Sequence, residues 1–126
     1  MSAVPLQEVF EQLRRNGGHV FIGEYRGCVS APKETWIDDG AGNRKKGGEK
    51  YLTLVHALET RTPKGVQTVQ FSERVDGFGL DGEAAAANSE KLVRVGDKCV
   101  IINPKEFSRD GRTFRSFDAG ALVVVN

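Results

Sequence analysis

Apolar and polar residues alternate with a period of two over much of this chain, which is the pattern of half-buried β-strands. The strongest case is residues 92–125. Val93, Val95, Cys99, Ile101 and Ile102 supply one apolar run, and Gly96-Asp97 stands where a strand starts or bends. Ser108-Arg109-Asp110-Gly111 is a turn, because Asp-Gly ahead of β-forming residues is a strong short-range hairpin signal. Phe114 and Phe117 then flank Arg115 and Ser116, and residues 121–125 close the chain with valines. The stretch reads as the last two strands of a small closed barrel.

The same alternation recurs upstream. Residues 51–60 and 66–75 alternate on either side of the turn 61–65, Arg-Thr-Pro-Lys-Gly, and form the clearest antiparallel hairpin. Residues 19–37 are β-forming but interrupted by Gly23, Gly27 and Pro32. A long strand with internal glycines can bend and so serve two sides of one barrel. Between these strands, residues 38–50 hold four glycines and four basic residues in 13 positions, which predicts a flexible, solvated basic loop. Two segments depart from period two. In residues 5–16, Leu6, Val9, Phe10 and Leu13 recur at helical spacing, with Pro5 suited to the first turn and Gly17-Gly18 to the stop. This helix packs on the barrel or against a second subunit. Residues 76–82 break the pattern, and residues 83–88, Glu-Ala-Ala-Ala-Ala-Asn, make a short helical turn or a tethered loop.

The predicted architecture is mainly β. It is a five-stranded OB-fold-like Greek-key barrel with an N-terminal amphipathic helix and a short helical piece between strands 3 and 4. Residues 1–126 form a single OB-like domain: 1–18 the N-terminal helix, 38–50 the flexible basic loop, 76–90 the loop and short helix. The strand order is taken from the OB template, since periodicity does not determine it.

Composition changes this picture little. Charged residues are 28% and hydrophobic ones 39% of 126 residues, ordinary for one globular domain. The formal net charge is +1, so a nucleic-acid role has to rest on local clusters. Cys28 and Cys99 are too few for a disulfide scaffold and read as reduced, buried thiols. No apolar run approaches the ~18 residues of a membrane span, and the N-terminal residues lack the pattern of a signal peptide. A cytoplasmic location and no membrane partner are expected.

Candidate chemistry is concentrated in two segments. Catalysis has little support. His19 and His56 have no cysteine or carboxylate at ligand spacing, so no metal and no cofactor are expected. Asp38-Asp39 reads as a solvated turn, and Gly77-Phe78-Gly79 opens no phosphate-binding helix. Arg44, Lys45, Lys46 and Lys50 form the first basic group. Lys105, Arg109, Arg112 and Arg115 form the second, interrupted by Glu106 and Asp110. On the OB template both lie on the loops that flank the binding face. Aromatic residues accompany them. Tyr51 follows the basic loop, Trp36 stands between Glu34 and Asp38, Phe114 borders the second turn, and Phe117 is of the same character. Phe21 and Phe71 are assigned to the core, and Phe78 to a loop anchor or lid. Flat side chains beside positive charge are what a single-strand binder needs, stacking for bases and ammonium or guanidinium groups for phosphates.

These residues resemble the single-stranded DNA-binding proteins of filamentous phages, small dimeric OB-fold proteins that coat replicating genomes. The likeness rests on the basic Gly-rich loop followed by Gly48-Glu49-Lys50-Tyr51-Leu52-Thr53-Leu54. It also rests on the tail, where a strand after Gly96-Asp97 leads to a Gly-centred turn and a valine-rich closing strand. It covers about half the chain, which is longer than the family's and adds the N-terminal helix and the insertion 76–88. The resemblance implies that Tyr51 stacks on a base, that Arg44 and Lys46 contact phosphates, and that Phe114 is the aromatic of the hairpin tip. It also implies a homodimer and a role in DNA replication.

The expected function is non-catalytic binding of single-stranded DNA, with RNA as the alternative strand. Phosphates would be held by Arg44, Lys45, Lys46, Lys50, Arg109, Arg112 and Arg115, and bases stacked on Trp36, Tyr51 and Phe114 with little sequence specificity. The competing expectation is a structural or protein–protein interaction β-barrel module of phage or plasmid assembly, with no nucleic-acid role. There the aromatics are core, the basic loop only solubilises, and the N-terminal helix is the sticky surface.

Overall fold

A computed structural model describes residues 3–38 and 40–126. Asp39, half of the paired carboxylates noted above, lies outside the described residues, as do residues 1 and 2. The elements run α1 (Leu6–Asn16), β1 (Val20–Asp38), β2 (Arg44–Thr62), β3 (Gly65–Val75), α2 (Gly82–Leu92), β4 (Lys98–Ile102), β5 (Lys105–Arg109), β6 (Arg112–Ser116) and β7 (Leu122–Val124). The protein is mainly β, and its strands form one mixed sheet in the order β5-β6-β3-β2-β1-β4-β7.

β1 is the hinge of this sheet. Its first residues pair with β4, from Val20↔Ile102 to Glu24↔Lys98, and the rest pair with β2. The change of partner is accompanied by a bulge between Tyr25 and Gly27, where Gly27 has φ +119°. An extra residue in one strand bends it and increases its twist, so one strand can serve two partners. The internal glycine thus has the use expected of it.

Seven strands replace the expected five, and the reason is local chemistry. Asn103 adopts φ 51° and Pro104 has no N–H to give to a ladder, so the fourth strand ends at Ile102. The chain then folds into the β5–β6 hairpin. Asp110 and Gly111 both have positive φ, 53° and 75°, as a two-residue type I′ turn requires. The last strand is likewise interrupted. Ser116 pairs in parallel with Ser72 of β3, and Phe117 N–H donates to Ser72 O at 3.1 Å. After Gly120 (φ 84°), Ile102 N–H donates to Ala121 O at 2.9 Å and β7 runs beside β4. Residues 117–121 therefore carry the chain from the β3 edge to the β4 edge, so the sheet is rolled although its strand order is open.

Period-two alternation explains the core. On β4, Cys99 and Ile101 face the interior with Tyr25, Leu58, Phe71, Val93 and Phe117. Val100 and Ile102 face outward and are covered by α1 through Val9, Leu6 and Leu13. That is why β4 reads as a continuous apolar run: both of its faces are buried. The side of α1 that carries Leu6, Val9 and Leu13 is thereby used within the chain, whereas Phe10, the fourth residue of its predicted apolar face, is 41% exposed. Phe21 packs beside the core, with its ring 4.9 Å from that of Phe71. Cys28 is half-buried and Cys99 fully buried, and both are free thiols. Burial, with Asp97 nearby, pushes the Cys99 thiol up to about 12, so it is an inert core side chain at neutral pH.

α2 is longer than the predicted turn. Asp81 caps it by accepting from Ala84 N–H at 3.1 Å, and its Ala85 and Ala86 pack against Leu52, Leu54, Val75 and Phe78. Alanines give strong helix propensity without an amphipathic stripe, so periodicity missed its extent. Leu92 ends this helix, and Val93–Asp97 is a turn rather than the first part of a strand. Phe78 is an anchor for the preceding loop.

The largest correction concerns residues 38–50. Arg44–Lys50 is not a flexible loop but the first part of β2. Pairing with β1 continues through Glu34↔Lys50, Trp36↔Lys46, Ile37↔Lys45 and Asp38↔Arg44. Only residues 39–43 connect the two strands, with Gly40 and Gly42 at positive φ. Glycines and charges lower strand propensity, yet here a long antiparallel partner supplies the ladder hydrogen bonds that decide the matter.

Candidate nucleic-acid interface

The β1–β2 ribbon carries its basic residues in register with Trp36. Between Glu34/Lys50 and Trp36/Lys46 the ladder slips, and Gly47 and Gly48 stand in the bulge. Gly47 has φ +143°, and a Cβ on Gly48 would collide with the Thr35 side chain and come within 3.0 Å of the Thr35 carbonyl oxygen and of Ile37 Cγ2. The bulge therefore needs glycine. Gly48→Ala is expected to destabilise the ribbon by about 1–3 kcal/mol through overpacking, which a thermal melt would show and an unchanged melt would contradict.

Directly opposed residues of an antiparallel pair share a face. Trp36 lies with Lys46 on one face of the ribbon, and Lys46 Nζ stands 5.9 Å from the Trp36 ring centroid. Arg44 opposes Asp38, and Lys45 opposes Ile37 on the reverse face. Trp36 is 50% exposed, the only tryptophan of the chain. Tyr51, half-buried, is covered by Arg74, whose guanidinium carbon is 4.6 Å from the ring centroid. Arg74 opposes Thr53 on β3, diagonal to Tyr51, a reach typical of long side chains on a sheet.

The β5–β6 hairpin faces this surface. Its pairs Lys105↔Ser116, Phe107↔Phe114 and Arg109↔Arg112 lie on one face by alternation. Phe107 and Phe114 are 59% and 53% exposed, with ring centroids 6.3 Å apart. On the same face, Arg109 brings its guanidinium carbon 5.9 Å from the Trp36 centroid. The other face holds Glu106 and Arg115, an exposed ion pair at 3.8 Å. Arg115 is thus placed away from the aromatics and borders a small depression with His19, Phe21 and Phe71. Phe117 is 4% exposed and belongs to the core, touching His56 and Phe71, so it does not share the character of Phe114.

Ribbon and hairpin enclose a groove of about 450 Å³ over β2 and β3. Trp36 and Tyr51 line it, with Thr53, Ser72 and Arg74 from the sheet and Lys105 and Ser116 from the hairpin. Lys105 Nζ donates to Asp118 Oδ1 at 2.9 Å, which holds that ammonium at the groove's edge. Arg74 and Phe107 were missed by sequence reading. Arg74 sat in an ordinary alternating strand, and only its diagonal position to Tyr51 distinguishes it. Phe107 sits directly opposite Phe114 across an Asp-Gly turn, a signal that counting back from the turn would have found.

The two histidines serve the fold. His19 Nε2 lies 3.2 Å from Pro104 O. His56 is inside the rolled sheet, with Nδ1 2.7 Å from Tyr25 Oη and Nε2 2.9 Å from Glu73 Oε1. The Glu73 carboxylate can only accept, so Nε2–H donates to it, which in the neutral ring leaves Nδ1 to accept from the Tyr25 O–H. Among the described residues no group of three or more His, Cys, Asp or Glu could hold a metal ion. No helix among them is long and apolar enough to cross a membrane.

No protein-family model and no curated protein matches this chain. Among solved structures it is similar to a small single-stranded DNA-binding protein from Streptomyces coelicolor. The identity is 17%, the match covers 86% of this chain and 94% of that chain, and the TM-score is 0.32.

Proposed function

We propose that this protein binds single-stranded DNA without catalysis, in the groove between the β1–β2 ribbon and the β5–β6 hairpin. The observation that carries this reading is the meeting of two basic and aromatic segments, distant in sequence, at one groove: Arg109 of the hairpin reaches Trp36 of the ribbon. Bases stack on Trp36, Tyr51 and the Phe107–Phe114 pair. Phosphates are held by Lys46, Arg74, Arg109 and Arg112. Every base presents a π-face, so little sequence selectivity follows.

The rolled sheet supports an OB-type Greek-key barrel. On this reading β1 to β4 are its first four strands, and β6 and β7 are halves of an interrupted fifth. α2 connects strands 3 and 4, α1 is an outer addition, and β5 with the Asp110-Gly111 turn elaborates the connection between strands 4 and 5. The groove then lies where OB barrels bind oligonucleotides, on the strand 2–3 face between the strand 1–2 and 4–5 connections.

The test is a titration of labelled oligo-dT at low and moderate salt. Micromolar or tighter binding is expected, with log K falling against log salt at a slope of roughly −2 to −3, as for three or four neutralised phosphates on a single strand. Absence of salt-sensitive binding at micromolar protein overturns the reading in favour of a protein-interaction module.

A further inference from the structure

The ribbon has a second concave surface beside the groove. Lys33, Lys46 and Lys50 converge with Pro32 and Glu34 around a depression of about 320 Å³. Three ammonium groups against one carboxylate leave this hollow positive although the whole chain is nearly neutral. Among the described residues none of the three lysines forms an ion pair with that carboxylate or any other. Like charges that line one depression repel one another, and an anion relieves that repulsion.

The hollow adjoins the groove. Glu34 borders both, and Lys46, which lines the hollow, stands over Trp36, which lines the groove. Trp36 is therefore the crest between two sides of one surface.

We propose that the lysine hollow is a second phosphate-binding segment, which takes the sugar-phosphate backbone of the same strand after it leaves the groove over Trp36. This rests on the reading of the groove as a single-strand site and extends its footprint across the ribbon. The ligand is a phosphodiester chain rather than a free phosphate, because the hollow holds no aromatic of its own and gains its ligand by tethering through the groove.

Strand length tests it. Oligo-dT of about four nucleotides fills the groove alone, whereas about twelve also reach the hollow, both within the range of OB-type sites. The long oligonucleotide is expected to show the steeper salt dependence. Lys33→Gln, at an exposed position outside the groove, is expected to reduce that slope by about 0.7, one phosphate's share on a single strand. A thermal melt checks that the variant is folded. An unchanged long-strand slope overturns the proposal, and so does an equal loss for both lengths, which marks a general field effect. Failure of both lengths to bind the wild type overturns the groove reading itself, so the two failures are distinguishable.

Discussion

Trp36→Ala is expected to weaken oligo-dT binding by about 1–3 kcal/mol, roughly a 5- to 150-fold rise in Kd, while the melting temperature stays near that of the parent. The ring is half exposed, so its removal opens no core cavity. What it takes away is a stacking surface with cations on hand: Lys46 and Arg109 both stand 5.9 Å from its centroid, one from each wall of the groove. The variant therefore loses the platform and the contact that ties hairpin to ribbon. Binding is read by anisotropy of labelled DNA, since the only tryptophan has gone. In the parent the same ring reports directly, and its fluorescence is expected to quench on stacking. Unchanged affinity in the variant would remove Trp36 from the interface, and with it the argument that ribbon and hairpin form one site.

His56→Ala has the opposite signature. It is expected to destabilise the fold by about 2–4 kcal/mol, a large part of the ~5–15 kcal/mol that holds a domain together. His56 is 1% exposed and bridges Tyr25 and Glu73 through its two ring nitrogens. Without it the Tyr25 hydroxyl loses its acceptor, the Glu73 carboxylate loses its donor, and a void opens beside Phe117. Each unsatisfied group costs about 1–3 kcal/mol where water cannot reach it, and Glu73, partly exposed, at the lower end. Tyr25→Phe removes only the hydroxyl and should cost about 1 kcal/mol. Chemical denaturation of the three proteins measures this order, and a His56→Ala loss below that of Tyr25→Phe would refute the bridge.

Exposure of an aromatic side chain is partly legible from its charged neighbours. Charged neighbours border Trp36 and Phe114, and both are half exposed. The same reasoning put Phe117 with them. It is buried, because the chain crosses at that point from the β3 edge to the β4 edge and turns the ring inward. Three residues of strand alternation separate Phe114 from Phe117, an odd spacing that puts them on opposite faces. By the same alternation Arg115, one step from Phe114, lies on the reverse of the hairpin beside Glu106. The residues of the first basic group also divide: Lys46 lies over Trp36, Lys45 opposes Ile37, and Lys50 lines the hollow beyond.

What the chain determines locally is the set of elements with strong short-range signals. Period-two runs, the Asp110-Gly111 turn and the stripe of α1 follow from backbone preference and burial within a few residues. So do the mainly β class and the two basic and aromatic segments. Tertiary structure decided the rest, because each remaining question depended on a distant partner. Arg44–Lys50 became strand because β1 lay alongside it. β4 could be apolar on both faces because α1 covered one of them. Arg74 lines the groove because β3 sets it diagonal to Tyr51. The groove itself exists only because rolling of the sheet brings Arg109 to Trp36, and no local preference of either segment contains that distance.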